Sequence, residues 1–353
     1  MNKNQRASPP HIKAKEHCPI LGSNIKLTRS EWERLLTLSR HAKKEETKPN
    51  ENKPAFFQLK TLGQIKVSVI TSLYRGGKYV SRFMQNITTQ QHFDAICELI
   101  IIDACSPENE FQHIQPYLAR HSNIRYVRLN ERVSIYKAWN LAIQQSRGQY
   151  ITNANLDDLR RQDSLVRQAS VLDSLPFVDI VYQDLFYTLD STLSFDEIAA
   201  VNVRTMLPLI TPRSLMSFNS PHNAPMWRKC IHERNGMFDE NYQSAGDWDF
   251  WLRCLSSRNV FYKLNDPHVA YFFNPDGLST RQDGPSVKEG MEALRVHQSL
   301  RPEEESLVTK DKFIGKLAEH VEIRYLHVGD RYSYAQQSLR LAAQQLKFGP
   351  VNR

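Results

Sequence analysis

Two adjacent carboxylates, Asp157 and Asp158, close a polar stretch, Asn153-Ala154-Asn155-Leu156, that follows the β-prone Tyr150-Ile151-Thr152. Carboxylate oxygens are hard donors, and a pair of them at a strand end suits a divalent cation carrying a phosphate-bearing ligand. The same pair could instead cap the helix that follows, a frequent use of Asp. Asp103 ends an earlier apolar run, CELIIID, and would overhang the same edge; turn amides alone could satisfy it instead. Further on, Asp247 and Asp249 stand in the first turn of a helical pattern, where they complement the positive end of its dipole.

The elements that must position these acids are legible as changes of texture. IKVSVITSLY from Ile65 is an apolar, β-branched run, the pattern of a strand buried on both faces. A helical pattern follows over about 79–90, and then come CELIIIDACS and IRYVRL as second and third strands. SIYKAWNLAIQQSRG is a helix with Ser134 as N-cap; Ile135, Ala138, Trp139, Ala142 and Ile143 share one face. GQYITNA, the helix DSLVRQASVLDSL and the strand VDIVYQDLFYT complete a βαβα alternation. Such alternation implies an α/β fold with a doubly wound, mainly parallel sheet, whose ligands sit at the carboxyl ends of the strands. Before it, SEWERLLTLSRH predicts a short helix with a Ser30/Glu33 capping box, and AKKEETKPNENKP predicts a linker. After Pro285, three helical stretches run to the C-terminus. The expected divisions are therefore an arm over 1–60, a catalytic-type domain over 61–284, with halves at about 65–190 and 191–284, and a helical extension over 285–353.

Composition narrows the class. The chain has 353 residues and a formal charge of +8, of which residues 1–60 supply +7 from 13 Lys/Arg against 6 Asp/Glu. The basic character belongs to the arm, so the body is not expected to bind nucleic acid, while the arm could make peripheral contact with an anionic membrane surface. Five cysteines, an odd number with no C-x-x-C spacing, argue against a zinc module or disulfide framework. No run reaches the ~20 apolar residues of a membrane helix, and the first residues lack the apolar core of a signal peptide. A cytoplasmic protein is the expectation, with membrane association through the arm as the alternative. No G-x-x-x-x-G-K-[ST] occurs, so phosphate clamping by a P-loop is excluded.

Five segments together resemble the family 2 glycosyltransferases, inverting enzymes of the GT-A fold, over about Lys66 to Ser279. VSVITSLYRGGKYV is similar to the family's opening strand and loop, and ELIIIDACS to its EIIVVDDGS. SIYKAWNLAI resembles the G-x-Y-x-A-M-N-x-G variant, and GQYITNANLDDLRRQDSL takes the place of GEYIxFLDSDDxxxPDxL. NGMFDENYQSAGDWDFWLR resembles GxFDExYxxxEDxDLWLR, the acceptor-side helix. Five matches in order identify fold and class and leave the sugar open.

The resemblance implies roles residue by residue. Asp103 would contact the nucleotide base, and the loop Thr71, Ser72 and Tyr74 would line base and ribose. Asn155 would meet the ribose, Asp157 would hold Mn2+ or Mg2+ bridging the diphosphate, and Asp158 would coordinate directly or support from behind. Lys137 could supply charge near the pyrophosphate, although helix geometry turns it about 100° from Trp139, which stands where many members have Arg. Asp247 would deprotonate the acceptor hydroxyl, with Gly246 where Glu is usual; a desolvated pocket would have to offset the helix dipole, which lowers its basicity. Trp139, Trp248 and Trp251 read as core, and Trp227 as core or a sugar platform. His222, His268 and His297 are scattered, with His268 able to approach the site. The departures DACS, with Ala104 for Asp, and Asn155 motivate two rivals: a non-catalytic nucleotide-sugar-binding scaffold of the same fold, and an anionic-surface binder acting through the arm. The enzyme reading is transfer of a sugar, from UDP by family habit, to a saccharide or lipid-linked acceptor with inversion, within polysaccharide biosynthesis. It expects Asp103, Asp157 and Asp247 to converge on one cleft, and it fails if Asp247 faces away from the other two or is tied up inside a packed interior.

Overall fold

The computed structural model describes residues 65–274, 277–280 and 284–300. The expected helix near residue 30, the arm, the linker and the later C-terminal helices lie outside these residues.

From the N-terminal side the elements are β1 (Val67–Leu73), α1 (Val80–Thr88), α2 (Phe93–Ile96), β2 (Cys97–Asp103), α3 (Phe111–Leu118) and β3 (Ile124–Arg128). Then come α4 (Ile135–Gln145), β4 (Tyr150–Asn153), β5 (Leu159–Arg160), α5 (Ser164–Ser174), β6 (Ile180–Thr188), α6 (Phe195–Val201) and α7 (Pro212–Leu215). β7 (Met226–Arg228), α8 (Ile231–Asn235), α9 (Gly246–Ser256), β8 (Phe261–Phe272) and α10 (Ser286–Val296) follow. The strands form one sheet in the order β3-β2-β1-β4-β7-β6-β8-β5.

β3, β2, β1 and β4 are mutually parallel, as expected from their buried, β-branched runs. Beyond β4 the sheet is mixed: β7 is antiparallel to both β4 and β6, β6 runs parallel to β8, and β5 closes the edge antiparallel to β8. The alternation along β1 divides the core into two layers. Ile70 faces α4 and α9 with Ile100, Ile102, Trp139, Trp227 and Trp251. Val67 and Val69 face α1, α2, α3 and α5 with Phe83, Leu99, Ile101 and Leu165. Helices thus cover both faces, and the strand order reverses between β1 and β4, the switch point at which α/β sheets open a crevice.

One expectation changes here. Asp157 and Asp158 do not cap the following helix, because β5 intervenes and Asp163 is the N-cap residue of α5. Packing continues into the start of the expected extension. α10 lies against α9, where Gly290 approaches Trp248 so closely that a Cβ would stand 3.0 Å from its ring, and Ala293 joins the main core.

Candidate active site

A cavity of about 590 Å³ opens at the carboxyl ends of β1 and β4. Its near wall carries Ser72, Tyr74, Arg75, Gly76, Asn155, Leu156 and Asp157; its far wall carries Tyr136, Trp139, Phe218, Asn219, His222, Asp247 and Trp248, with α10 contributing Val287, Gly290, Met291 and Leu294.

The near wall is held by acids from the loop after β2. Ser106 Oγ accepts from Arg75 N at 2.9 Å, Glu110 Oε1 from Gly76 N at 2.8 Å, and Glu108 Oε2 from Gly77 N at 2.8 Å. Gly76 lets the neighbouring acidic loop approach closely: a Cβ there would stand 2.4 Å from Leu156 Cδ1, whose side chain would have to move. Arg75 is exposed, with φ of 51°, and Arg132 lies 4.4 Å from the centroid of the Tyr74 ring, so this wall is cationic and aromatic together.

Of the three acids expected to converge, Asp157 and Asp247 line the cavity and Asp103 does not. Asp103 is 1% exposed and spent on its own surroundings. Oδ1 accepts from Ser106 N at 2.7 Å, and Oδ2 accepts from Tyr126 OH and from Arg128 Nη1. It braces the β2–β3 edge and the loop that holds the near wall. Thr71 is likewise turned inward, its hydroxyl donating to Ala154 O at 2.6 Å, and Lys137 lies away from the cavity. Ser72, Tyr74 and Asn155 do line it.

Asp157 and Asp158, although adjacent, face different ways. Asp157 is at the cavity, and burial raises its pKa while hydrogen bonding from its own backbone and from Asn274 pulls it back. Asp158 is 7% exposed and accepts three bonds, all at 2.9 Å: Asn155 Nδ2 and Asn223 Nδ2 on Oδ2, and Phe272 N on Oδ1. Burial first, and then the Asp157 charge, push its pKa up to about 7. It ties the acidic loop to the 219–223 segment and to the end of β8. Beneath it the buried Arg160 guanidinium bonds Thr152 Oγ1 at 2.5 Å and Asn153 O at 2.8 Å. The Asp158 charge acts on Arg160, against the lowering of its pKa by burial.

Asp247 opens the far wall from the first turn of α9. Asn219 Nδ2 donates to Oδ2 at 2.9 Å and Tyr136 OH to Oδ1 at 3.2 Å. Enclosure by protein pushes its pKa up to about 6, against the lowering effect of those donors and the helix amides. Desolvation therefore outweighs the helix dipole, the balance a general base requires. Asp249 instead pairs with Arg253 Nε at 2.9 Å and His297 Nε2 at 2.8 Å, away from the cavity.

Several contributors had little signal in the sequence. Glu289 of α10 accepts from Ser244 N at 2.7 Å, Ala245 N at 3.0 Å and Gln243 N, so one carboxylate caps the turn entering α9. Tyr136 stands at the Tyr of the quoted SIYKAWN motif. Asn219 and Asn223 had none beyond their polarity. Trp227 is fully buried and donates Nε1 to His232 Nε2 at 2.9 Å, which removes the sugar-platform reading; β7 is an interior strand. Trp251 is core as expected, whereas Trp139 and Trp248 pack in the core and also reach the cavity. His268 is fully buried beside Arg161 and away from the cavity; His222 is at it.

Among the described residues no three His, Cys, Asp or Glu side chains cluster as a metal cage. On the near wall Asp157 presents a single carboxylate, which suits a Mg2+ or Mn2+ only in the manner that completes its shell with ligand phosphate oxygens and water.

Comparison with known proteins bears on the fold and the family. Residues 68–234 match the family model described as "Glycosyl transferase family 2". Poly(ribitol-phosphate) beta-N-acetylglucosaminyltransferase TarS of Staphylococcus aureus (strain Mu50 / ATCC 700699) is 20% identical over 234 residues, 66% of this chain and 40% of its own length. The teichuronic acid biosynthesis glycosyltransferase TuaG of Bacillus subtilis (strain 168), named as putative, is 30% identical over 102 residues, 29% of this chain and 40% of its own. Both alignments thus span two-fifths of the relative's length. The crystal structure of S. aureus TarS 1-349 in complex with UDP-GlcNAc superposes with a TM-score of 0.55 at 18% identity, covering 81% of this chain and 82% of that one. Residues 68–234 are thus similar to the family 2 glycosyltransferases, and the described residues have a GT-A fold.

Proposed function

We propose that this domain transfers a sugar from a nucleoside-diphosphate donor, a UDP-sugar, to a saccharide or lipid-linked acceptor with inversion. One observation carries the reading: Asp157 and Asp247, two carboxylates from distant segments, line the same cavity. The nucleotide enters over the near wall, where Tyr74 and Ser72 meet base and ribose and Arg75 faces the diphosphate. Asp157 would hold a divalent cation together with the diphosphate, and the cation when bound would supply charge neutralisation on the leaving nucleotide. Asp247 takes the acceptor proton; Asn219 and Tyr136 fix its oxygens, and its raised pKa leaves it basic enough for the task at neutral pH. Attack from the side opposite the diphosphate inverts the anomeric configuration. UDP in a TarS complex and UDP-GlcNAc in another support the choice of nucleotide.

The test is turnover of UDP-N-acetylglucosamine, UDP-glucose and UDP-galactose with Mn2+ by the wild type, Asp157→Ala and Asp247→Asn. Loss of transfer and donor hydrolysis in Asp157→Ala, with loss of transfer in Asp247→Asn and UDP binding retained, is expected. Wild-type rates in both variants overturn the assignment.

A further inference from the structure

Residues 219–223, just before β7, bind at one end to Asp247 through Asn219 Nδ2 and at the other to Asp158 through Asn223 Nδ2, each at 2.9 Å. The segment therefore spans the interval between the base and the acidic loop. On the transferase reading, on which this inference rests, that interval is where the transferred sugar ring lies. Its anomeric carbon must sit between the leaving phosphate and the incoming oxygen.

The segment also concentrates unmet hydrogen-bonding capacity. Among the described residues Asn219 Oδ1, Ser220 Oγ, His222 Nε2 and Asn223 Oδ1 are shielded from water yet have no partner. Buried polar atoms without partners are costly and uncommon, so four of them within five residues need a reason. The amide orientations are fixed, because the nitrogens of Asn219 and Asn223 face carboxylates and their oxygens must point elsewhere. The imidazole is fixed as well: Nδ1 lies 3.0 Å from Asn219 O, a carbonyl that only accepts, so Nδ1 carries the proton and Nε2 is a bare lone pair. Burial pushes the His222 pKa down to about 4, which keeps the ring neutral. Edge contacts with Phe218 and Tyr271, with centroids 5.8 Å away in each case, hold its plane. Asn219 and His222 both line the cavity.

Three of the four orphans are pure acceptors, and a cavity wall of bare acceptors calls for a ligand rich in O–H donors. We propose that the 219–223 segment reads the hydroxyls of the transferred sugar, with His222 Nε2 and Asn219 Oδ1 accepting from them. His222 is thereby a specificity-determining residue, separate from the base and from the nucleotide wall.

The test is calorimetric binding of UDP, UDP-N-acetylglucosamine, UDP-glucose and UDP-galactose with Mn2+ to full-length wild type, His222→Phe and His222→Gln. In the wild type, at least one UDP-sugar is expected to bind five- to fifty-fold more tightly than UDP. His222→Phe loses that increment with UDP affinity unchanged, and His222→Gln, which keeps an acceptor, restores part of it. Deoxyfluoro analogues of the preferred donor, offered to the wild type, give a reading independent of any variant's folding. Fluorine accepts but cannot donate, so one such substitution must weaken binding as much as outright deoxygenation does. A sugar increment that is absent in the wild type, unchanged in His222→Phe, or insensitive to every fluorine substitution overturns the proposal. Failure of UDP itself to bind overturns the transferase reading instead.

Discussion

A Cβ at Gly246 would stand 2.7 Å from Cε2 of Tyr136. The ring that forbids a larger residue there is the one whose hydroxyl reaches Asp247, so the glycine in place of the usual acid and the tyrosine are two sides of one arrangement. Restoring the acid as Gly246→Glu, or even adding one methyl as Gly246→Ala, must displace a buried ring. Overpacking of this kind costs about 1–3 kcal/mol. Urea denaturation should show it, and Gly246→Ala should also weaken base catalysis by moving the Tyr136 donor. An unchanged midpoint would mean that the ring yields freely.

Asp247 sets the pH response. With a pKa of about 6, it is protonated in mildly acid solution, and kcat/KM should rise with pH to a plateau, half-maximal near pH 6. Asp247→Asn should lose about 10²–10⁴-fold and flatten the limb. The stability effect has the opposite sense. A carboxyl raised from 3.8 binds more protons folded than unfolded, so its contribution is fullest below 3.8 and is lost as pH rises toward 6. Chemical denaturation across pH 4–7 should show that decline diminished in Asp247→Asn.

Asp158 should prove structural before it proves chemical. Asp158→Ala would strand three donors, the Asn155 and Asn223 amides and Phe272 N, at about 1–3 kcal/mol each before relaxation. Thermal unfolding should drop well below that of Asp157→Ala, whose side chain faces the cavity. Equal losses would remove the distinction drawn between the two neighbours.

The raised pKa values of this pair also predict a proton count. Asp158 at about 7 and Asp157 above its usual value share charge poorly, so near pH 6.5 part of the pair is protonated. Addition of Mn2+ with UDP should expel up to one proton, read as a buffer-dependent heat in calorimetry. Chelation should abolish turnover and restore that proton. A heat independent of buffer would argue against a cation at Asp157.

Glu289 carries the fourth stability prediction. Its carboxylate serves the amides of Gln243, Ser244 and Ala245 at the start of α9, so Glu289→Ala removes a cap worth about 1–2 kcal/mol. Because α9 carries Asp247, kcat should fall while UDP affinity holds.

Legibility followed sequence distance and regularity. β1, β2 and the parallel half of the sheet could be read because strands buried on both faces must be apolar throughout. Ser134 capped α4 as its type and place predict. Motif order singled out Asp157 and Asp247, and both line the cavity, yet nothing in Asp-Asp tells which neighbour turns inward: the acidic loop is irregular, and Asp158 is claimed by partners at Asn223 and Phe272. The partners of Asp103 were hidden for a related reason, since Tyr126 and Arg128 reach it from β3 across the sheet. The role of α10 was hidden because its glutamate acts on amides more than forty residues earlier. Trp227 suggested a platform only while β7 was unknown as an interior strand.

The double attachment of residues 219–223 makes that segment a cassette with a plug at each end. Exchanging it between relatives to alter donor preference would fail unless the carboxylates receiving its two asparagines travelled with it. Conversely, a library confined to position 222 could retune the preference while leaving both plugs seated.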